Sequence, residues 1–225
     1  MGALPSLIPT KTKAKTFGAA AWHIGTEAVP VLTVDVTRTA VIFERHTLLW
    51  KHPGVTVTTK PHAVSLRRTA GGVPVCMAEA RGPGMIAFSL DGPGRIVAIE
   101  MPLGRELDVR ASQFVAATEK LSFEAKTKGA GNQGCAERFA SYKGDGVLWI
   151  YAYGSVFEKK LAVGESIDIE ARASLYKETT VRMETIVERV PGGPFGGHMN
   201  MTIHRFTGPG RVGVQSMSVH HRPEA

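Results

Sequence analysis

The chain has 225 residues, with 25 glycines, 13 prolines, two cysteines and a formal charge of +7. No apolar run reaches bilayer-spanning length, no signal-peptide core opens the chain, and the cysteines form no metal pattern. Neither stable membrane insertion nor a zinc or disulfide framework is therefore expected, and a cytoplasmic setting is.

Residues 1–30 read as an N-terminal arm, in which Lys11, Lys13 and Lys15 alternate with Thr12 and Ala14. Alternating lysines protect a strand edge from pairing, and they equally suit contact with phosphates. From residue 31 onward, short runs of Val, Ile and Thr alternate with Gly and Pro turn signals. They predict strands at 31–37, 39–44, 63–67, 75–78, 85–90, 95–101, 147–153, 180–187, 199–206 and 212–219. Helix evidence is confined to 170–178. The fold class is all-β, with one domain over 31–220 and a short tail at 221–225.

One spacing occurs three times in that domain. Val41, Phe43, Leu49, Val55 and Val57 are matched by Leu107, Val109, Val115, Leu121 and Phe123, and by Ile167, Ile169, Leu175, Val181 and Met183. A period of two places side chains on one strand face, so each set reads as two half-buried strands with a tight connection. Leu49, Val115 and Leu175 become an equivalent trio. Residues 103–124 align with 163–184 without gaps, superposing Gly104 on Gly164 and Asp108 on Asp168. Gly82-Pro83-Gly84 corresponds to Gly144-Asp145-Gly146, and Gly92-Pro93-Gly94-Arg95-Ile96 is echoed by Gly208-Pro209-Gly210-Arg211-Val212. The pattern predicts a triplicated β unit, with copies at about 31–80, 81–143 and 144–220.

These glycine-bounded motifs, with Gln113-Phe114-Val115-Ala116-Ala117-Thr118 and Val163-Gly164-Glu165, resemble the signature of the altered-inheritance-of-mitochondria twenty-four family over roughly residues 30 to 220. The resemblance implies units similar to the tryptophan RNA-binding attenuation protein, a short variant of the double-stranded β-helix, in a compact barrel or sandwich. It also implies that three chains close a nine-unit ring. It carries no enzymatic activity and no catalytic residues.

A direct search for chemistry gives little. None of the eight histidines forms a His-x-His pair, so a metal site is not expected and surface or edge positions are. No Gly-x-Ser-x-Gly elbow is present. Cys135 reads as a loop thiol, and the glycine-rich stretches at 128–134 and 191–197 read as long loops. Asp108 and Asp168 read as solvated strand faces. Trp149, Tyr151 and Tyr153 alternate along one strand, which suits either a base-stacking platform or a strand buried at a subunit interface.

No cofactor is called for. Two functional classes remain open: a non-enzymatic homo-oligomeric scaffold or small-ligand-binding module, expected as a trimer, and a ring that binds RNA, another nucleic acid or an anionic ligand. Lys11, Lys13, Lys15, Arg95 and Arg211 are the candidate contacts for the second. Its warrant is charge and fold analogy.

Overall fold

Alternating apolar and polar residues, cut every few positions by glycine, leave the chain no long helical stretch and many short strands. The computed structural model describes residues 6–7, 14–25, 29–59, 77–90, 92–127, 138–191 and 198–217. Three strands come first: β1 (Ser6–Leu7), β2 (Lys15–Phe17) and β3 (Ala20–Ile24). Six follow as β4 (Leu32–Asp35), β5 (Val41–Glu44), β6 (Leu48–Lys51), β7 (Thr56–Thr59), β8 (Met77–Arg81) and β9 (Met85–Phe88). Another six are β10 (Gly94–Met101), β11 (Glu106–Arg110), β12 (Phe114–Thr118), β13 (Leu121–Thr127), β14 (Arg138–Gly144) and β15 (Gly146–Tyr153). The last six are β16 (Val156–Leu161), β17 (Ser166–Glu170), β18 (Ser174–Glu178), β19 (Arg182–Pro191), β20 (His198–Thr207) and β21 (Gly210–Gln215).

Within each group of six the antiparallel pairing is the same. The sixth strand lies between the first and third, giving β4–β9–β6, β10–β15–β12 and β16–β21–β18. The fifth lies between the second and fourth, giving β5–β8–β7, β11–β14–β13 and β17–β20–β19. Neighbouring groups are stitched by one strand pair each: β5 with β12, and β11 with β18. Among the described residues the result is four open sheets of seven, six, five and three strands in a sandwich-like arrangement.

Between second and third strands the chain makes a single 3-10 turn, at Arg45–Thr47, Ala111–Gln113 and Ala171–Ala173. The third strand then carries a β-bulge in all three cases, between Leu48 and Trp50, Phe114 and Ala116, and Ser174 and Tyr176. Leu49, Val115 and Leu175 are thus the three bulge residues. A bulge re-aims the side chains around it and bends its strand. Sequence spacing merged this third strand into the connection, because four or five residues interrupted by a bulge lose strict alternation. The helical reading of 170–178 reduces to the end of β17, the 3-10 turn and β18 for the same reason.

Glycine at the fifth-to-sixth turn is a requirement of close approach. Gly82 and Gly144 have φ of +116° and +134°. A Cβ there would lie 2.7 Å from the Gly54 carbonyl oxygen and 2.5 Å from that of Lys120, respectively. The Gly-Pro-Gly echo, by contrast, joins unlike places. Gly208–Gly210 lies at the turn into β21, whereas Gly92–Gly94 leads into β10, the first strand of its group. The tripeptide marks a tight turn, not a position.

The buried apolar residues form three clusters. The first gathers Trp22, Leu32, Phe43, Phe88, Trp149 and Tyr151. The second is built on Leu107, Val109, Phe114, Tyr142 and Leu148. The third is small: Leu161, Ile169, Val181, Phe206 and Val212. Trp22 meets Trp149 edge to face with centroids 5.7 Å apart. Two readings change here. Part of the segment set aside as an arm supplies β2 and β3, which extend the five-stranded sheet outward from β4. Trp149 and Tyr151 are buried in the chain's own core rather than at a subunit contact or on a stacking platform.

Candidate functional site

The candidate nucleic-acid residues spread over the molecule. Lys15 lies on β2, the outer strand of the five-stranded sheet. Arg95 lies on β10 in the six-stranded sheet, opposite Ala152. Arg211 lies on β21 in the seven-stranded sheet. They occupy three sheets rather than one strand face, and Lys11 and Lys13 lie outside the described residues. Arg211 is also committed to carboxylates, 3.6 Å from Glu158 and 3.9 Å from Glu178. Arg105 reaches the same Glu178 at 3.7 Å, and the Tyr176 hydroxyl donates to Glu158 at 2.6 Å. Burial, reinforced by the Glu158 charge, pushes the Tyr176 hydroxyl well above the usual phenol range, so it stays a donor.

No group of three or more His, Cys, Asp or Glu among the described residues is placed to hold a metal ion. His204 departs from the surface reading: it is buried between Phe139 and Phe206, with Nδ1 3.1 Å from the Ser174 hydroxyl. Burial, aided by the Arg110 charge, lowers its pKa to about 4. Cys76, Cys135 and the two glycine-rich loops fall outside the described residues, apart from Pro191 at the end of β19.

The informative chemistry sits where strand groups meet. At the first junction Ile42 faces Ala117, an apolar pair. At the second, Asp108 faces Lys177. Their charges meet at 2.9 Å with the side chains 6% and 5% exposed, and the Lys177 ammonium donates as well to the Val181 carbonyl at 2.8 Å. Two ions removed from water are tolerable only when paired and hydrogen-bonded in this way. Asp108 is therefore not a solvated strand face. The expectation fails because β11 is an interior strand flanked by β14 and β18, and β18 brings Lys177 across from Asp108 on the same side of the sheet.

Among the described residues, each end of the row of groups keeps the same parts without a partner strand. β6 is the outer strand of the five-stranded sheet opposite β2, and β17 is one of the two outer strands of the three-stranded sheet. Leu49 on β6 is 54% exposed, whereas Val115 and Leu175 at the same bulge are 0% exposed. Trp50 is exposed too, stacked on His52, while Ala116 and Tyr176 are buried. On β17, Asp168 holds an in-sheet pair with Arg205, both bonds 2.7 Å long. Sequence reasoning missed Lys51 altogether. Its signal was its place two residues after Leu49, where Lys177 stands two after Leu175.

A family profile described as mitochondrial biogenesis AIM24 matches residues 22–217. No curated protein matches the sequence. A crystal structure of a Streptococcus pyogenes protein solved by a structural-genomics consortium superposes with a TM-score of 0.70 at 19% identity. The match covers 88% of this chain and 94% of that one. At that identity the likeness concerns the fold.

Proposed function

The chain belongs to the AIM24 mitochondrial-biogenesis family, and from that premise we propose that it is a non-enzymatic, self-associating scaffold or small-ligand-binding module. On this reading three copies of one ancestral six-strand unit form the chain, and three chains form the working assembly. The observation that carries it is the exposure of Leu49 and Trp50 on an open strand whose counterparts, β12 and β18, are buried. An apolar strand edge left bare in this way is a template for association with another chain.

Light scattering on the purified protein tests the reading. The expected mass is about three times the 24.2 kDa chain, and a single chain mass at every concentration overturns it. The nucleic-acid alternative draws on the charge of +7 and on fold analogy. Its mark is retention of mixed RNA at low salt that falls steeply as salt rises.

A further inference from the structure

We propose that β17 of one copy of this chain adds to β6 of a second copy, antiparallel, with Asp168 across from Lys51, so that copies join head to tail. The proposal rests on the self-association reading and specifies its contact.

The pairing rule inside the chain supplies the first argument. Fourth strands β7, β13 and β19 are sheet edges in all three groups, so a bare fourth strand is ordinary here. Second and third strands behave differently. β5 takes the third strand of the next group, β12, and β11 takes β18. Among the described residues, β17 is a second strand and β6 a third strand whose corresponding sides meet no other strand. One copy offers each half of the junction once. Its own two halves belong to the first and last groups, with the middle group between them.

The register supplies the second. At the second junction Leu107, Asp108 and Val109 face Glu178, Lys177 and Tyr176. At the first, Val41, Ile42 and Phe43 face Thr118, Ala117 and Ala116, the same register by position. Carried to the open ends, Ile167, Asp168 and Ile169 of one copy face His52, Lys51 and Trp50 of the next. An anion meets a cation, and the exposed Trp50 lies across from Ile169, which is already buried in its own chain. Slipping by one residue would turn each set to the wrong face.

The third is that Lys51 is already set as Lys177 is. Its ammonium donates to the Val55 carbonyl at 2.8 Å, four residues on, as Lys177 does to Val181 at 2.8 Å. Asp168 keeps lone pairs beyond its bonds to Arg205, since a carboxylate has about four acceptor sites. Its side chain is 37% exposed, against 6% for Asp108, so it is open to a second cation. A contact that uses the β17 edge of one copy and the β6 edge of the next is heterologous: it closes a ring or propagates a filament.

Full-length protein carrying Lys51→Asp or Asp168→Lys, checked for native circular dichroism, is compared with wild type by concentration-dependent light scattering. Each single swap is expected to weaken association at least tenfold, and the two swaps together to restore the wild-type mass. A second measurement introduces Lys51→Cys with Asp168→Cys in a background where Cys76 and Cys135 are serine. Oxidation is expected to give covalent multiples of the chain, and markedly less with Lys51→Cys and Glu170→Cys. An assembly whose mass ignores both single swaps overturns this contact while leaving the self-association reading standing. A wild-type protein that stays at one chain mass overturns both. Crosslinking within one chain, without multimers, overturns the head-to-tail arrangement.

Discussion

The junction between β11 and β18 and the pair of bare edges at β6 and β17 carry the same chemistry in two states of burial. Asp108 and Lys177 sit out of water, each the other's main compensation. Asp168 and Lys51 occupy the corresponding positions with solvent on one side. Identical residue types thus have unlike energetic weight, set by whether a strand from another group covers them. The contrast teaches that in a row of similar units the terminal ones report what the interior ones need.

The largest effect separating the two regions should come from Lys177→Met. Removing one partner of a buried pair strands the other charge, a loss of about 3–5 kcal/mol. Urea unfolding followed by tryptophan fluorescence reads it. The paired replacement Asp108→Leu with Lys177→Met should recover most of that loss, since an apolar pair already serves at Ile42 and Ala117. A double variant as unstable as the single one would break the view that only the uncompensated charge is costly.

Next in size is the bulge residue itself. Leu175→Ala removes a fully buried side chain beside Tyr176 and is expected to cost about 2–5 kcal/mol. Leu49→Ala, at the same bulge but 54% exposed, should leave the unfolding free energy of the separate chain within about 0.5 kcal/mol. Equal losses at the two positions, measured at the lowest protein concentration that gives a signal, would erase the difference between covered and bare strands.

His204 sharpens the comparison from behind β17, where it faces Ile169 across the strand pair. Its folded pKa lies near 4 and its ordinary value near 6.5. Above about 6.5 the ring is neutral in both states and contributes nothing to pH dependence. As pH falls from there toward 4, the unfolded chain takes up a proton that the folded chain refuses, so stability declines. A loss on the order of 2 kcal/mol is expected over that window, and His204→Phe should flatten it. An unchanged slope in the variant would place the titrating group elsewhere.

How much of this could be read in the residues follows from range. Apolar pairs such as Leu107 with Val109 and Ile167 with Ile169 announce strands, because period-two burial is local. The turn glycines announce their hairpins, because only glycine accepts the left-handed turn at Gly82 or Gly144. The burial of Asp108 was hidden, because it depends on Lys177 arriving from sixty-nine residues away. The joining of β2 and β3 to the sheet was hidden likewise: alternating lysines suggest a protected edge, and β2 is indeed outermost, but nothing local says that Trp22 reaches Trp149. The candidate cations Lys15, Arg95 and Arg211 share only their charge, a property that does not encode which sheet a strand joins.

The smallest effect is the most discriminating one. Asp168→Asn removes a carboxylate that the Arg205 guanidinium holds below its ordinary pKa, chiefly through their hydrogen bonds. A depressed carboxyl contributes stability above the unfolded-state pKa and loses it as pH falls through the folded value. The pair is partly solvated, so the contribution at neutral pH is minor and the unfolding midpoint of the separate chain should not move measurably. Asp108→Asn, the same change at a buried site, should lower that midpoint clearly, because Lys177 then loses its counter-charge in a dry setting. Matching losses would mean that β17 is already covered in the folded chain, and that no bare second strand exists for another copy to meet.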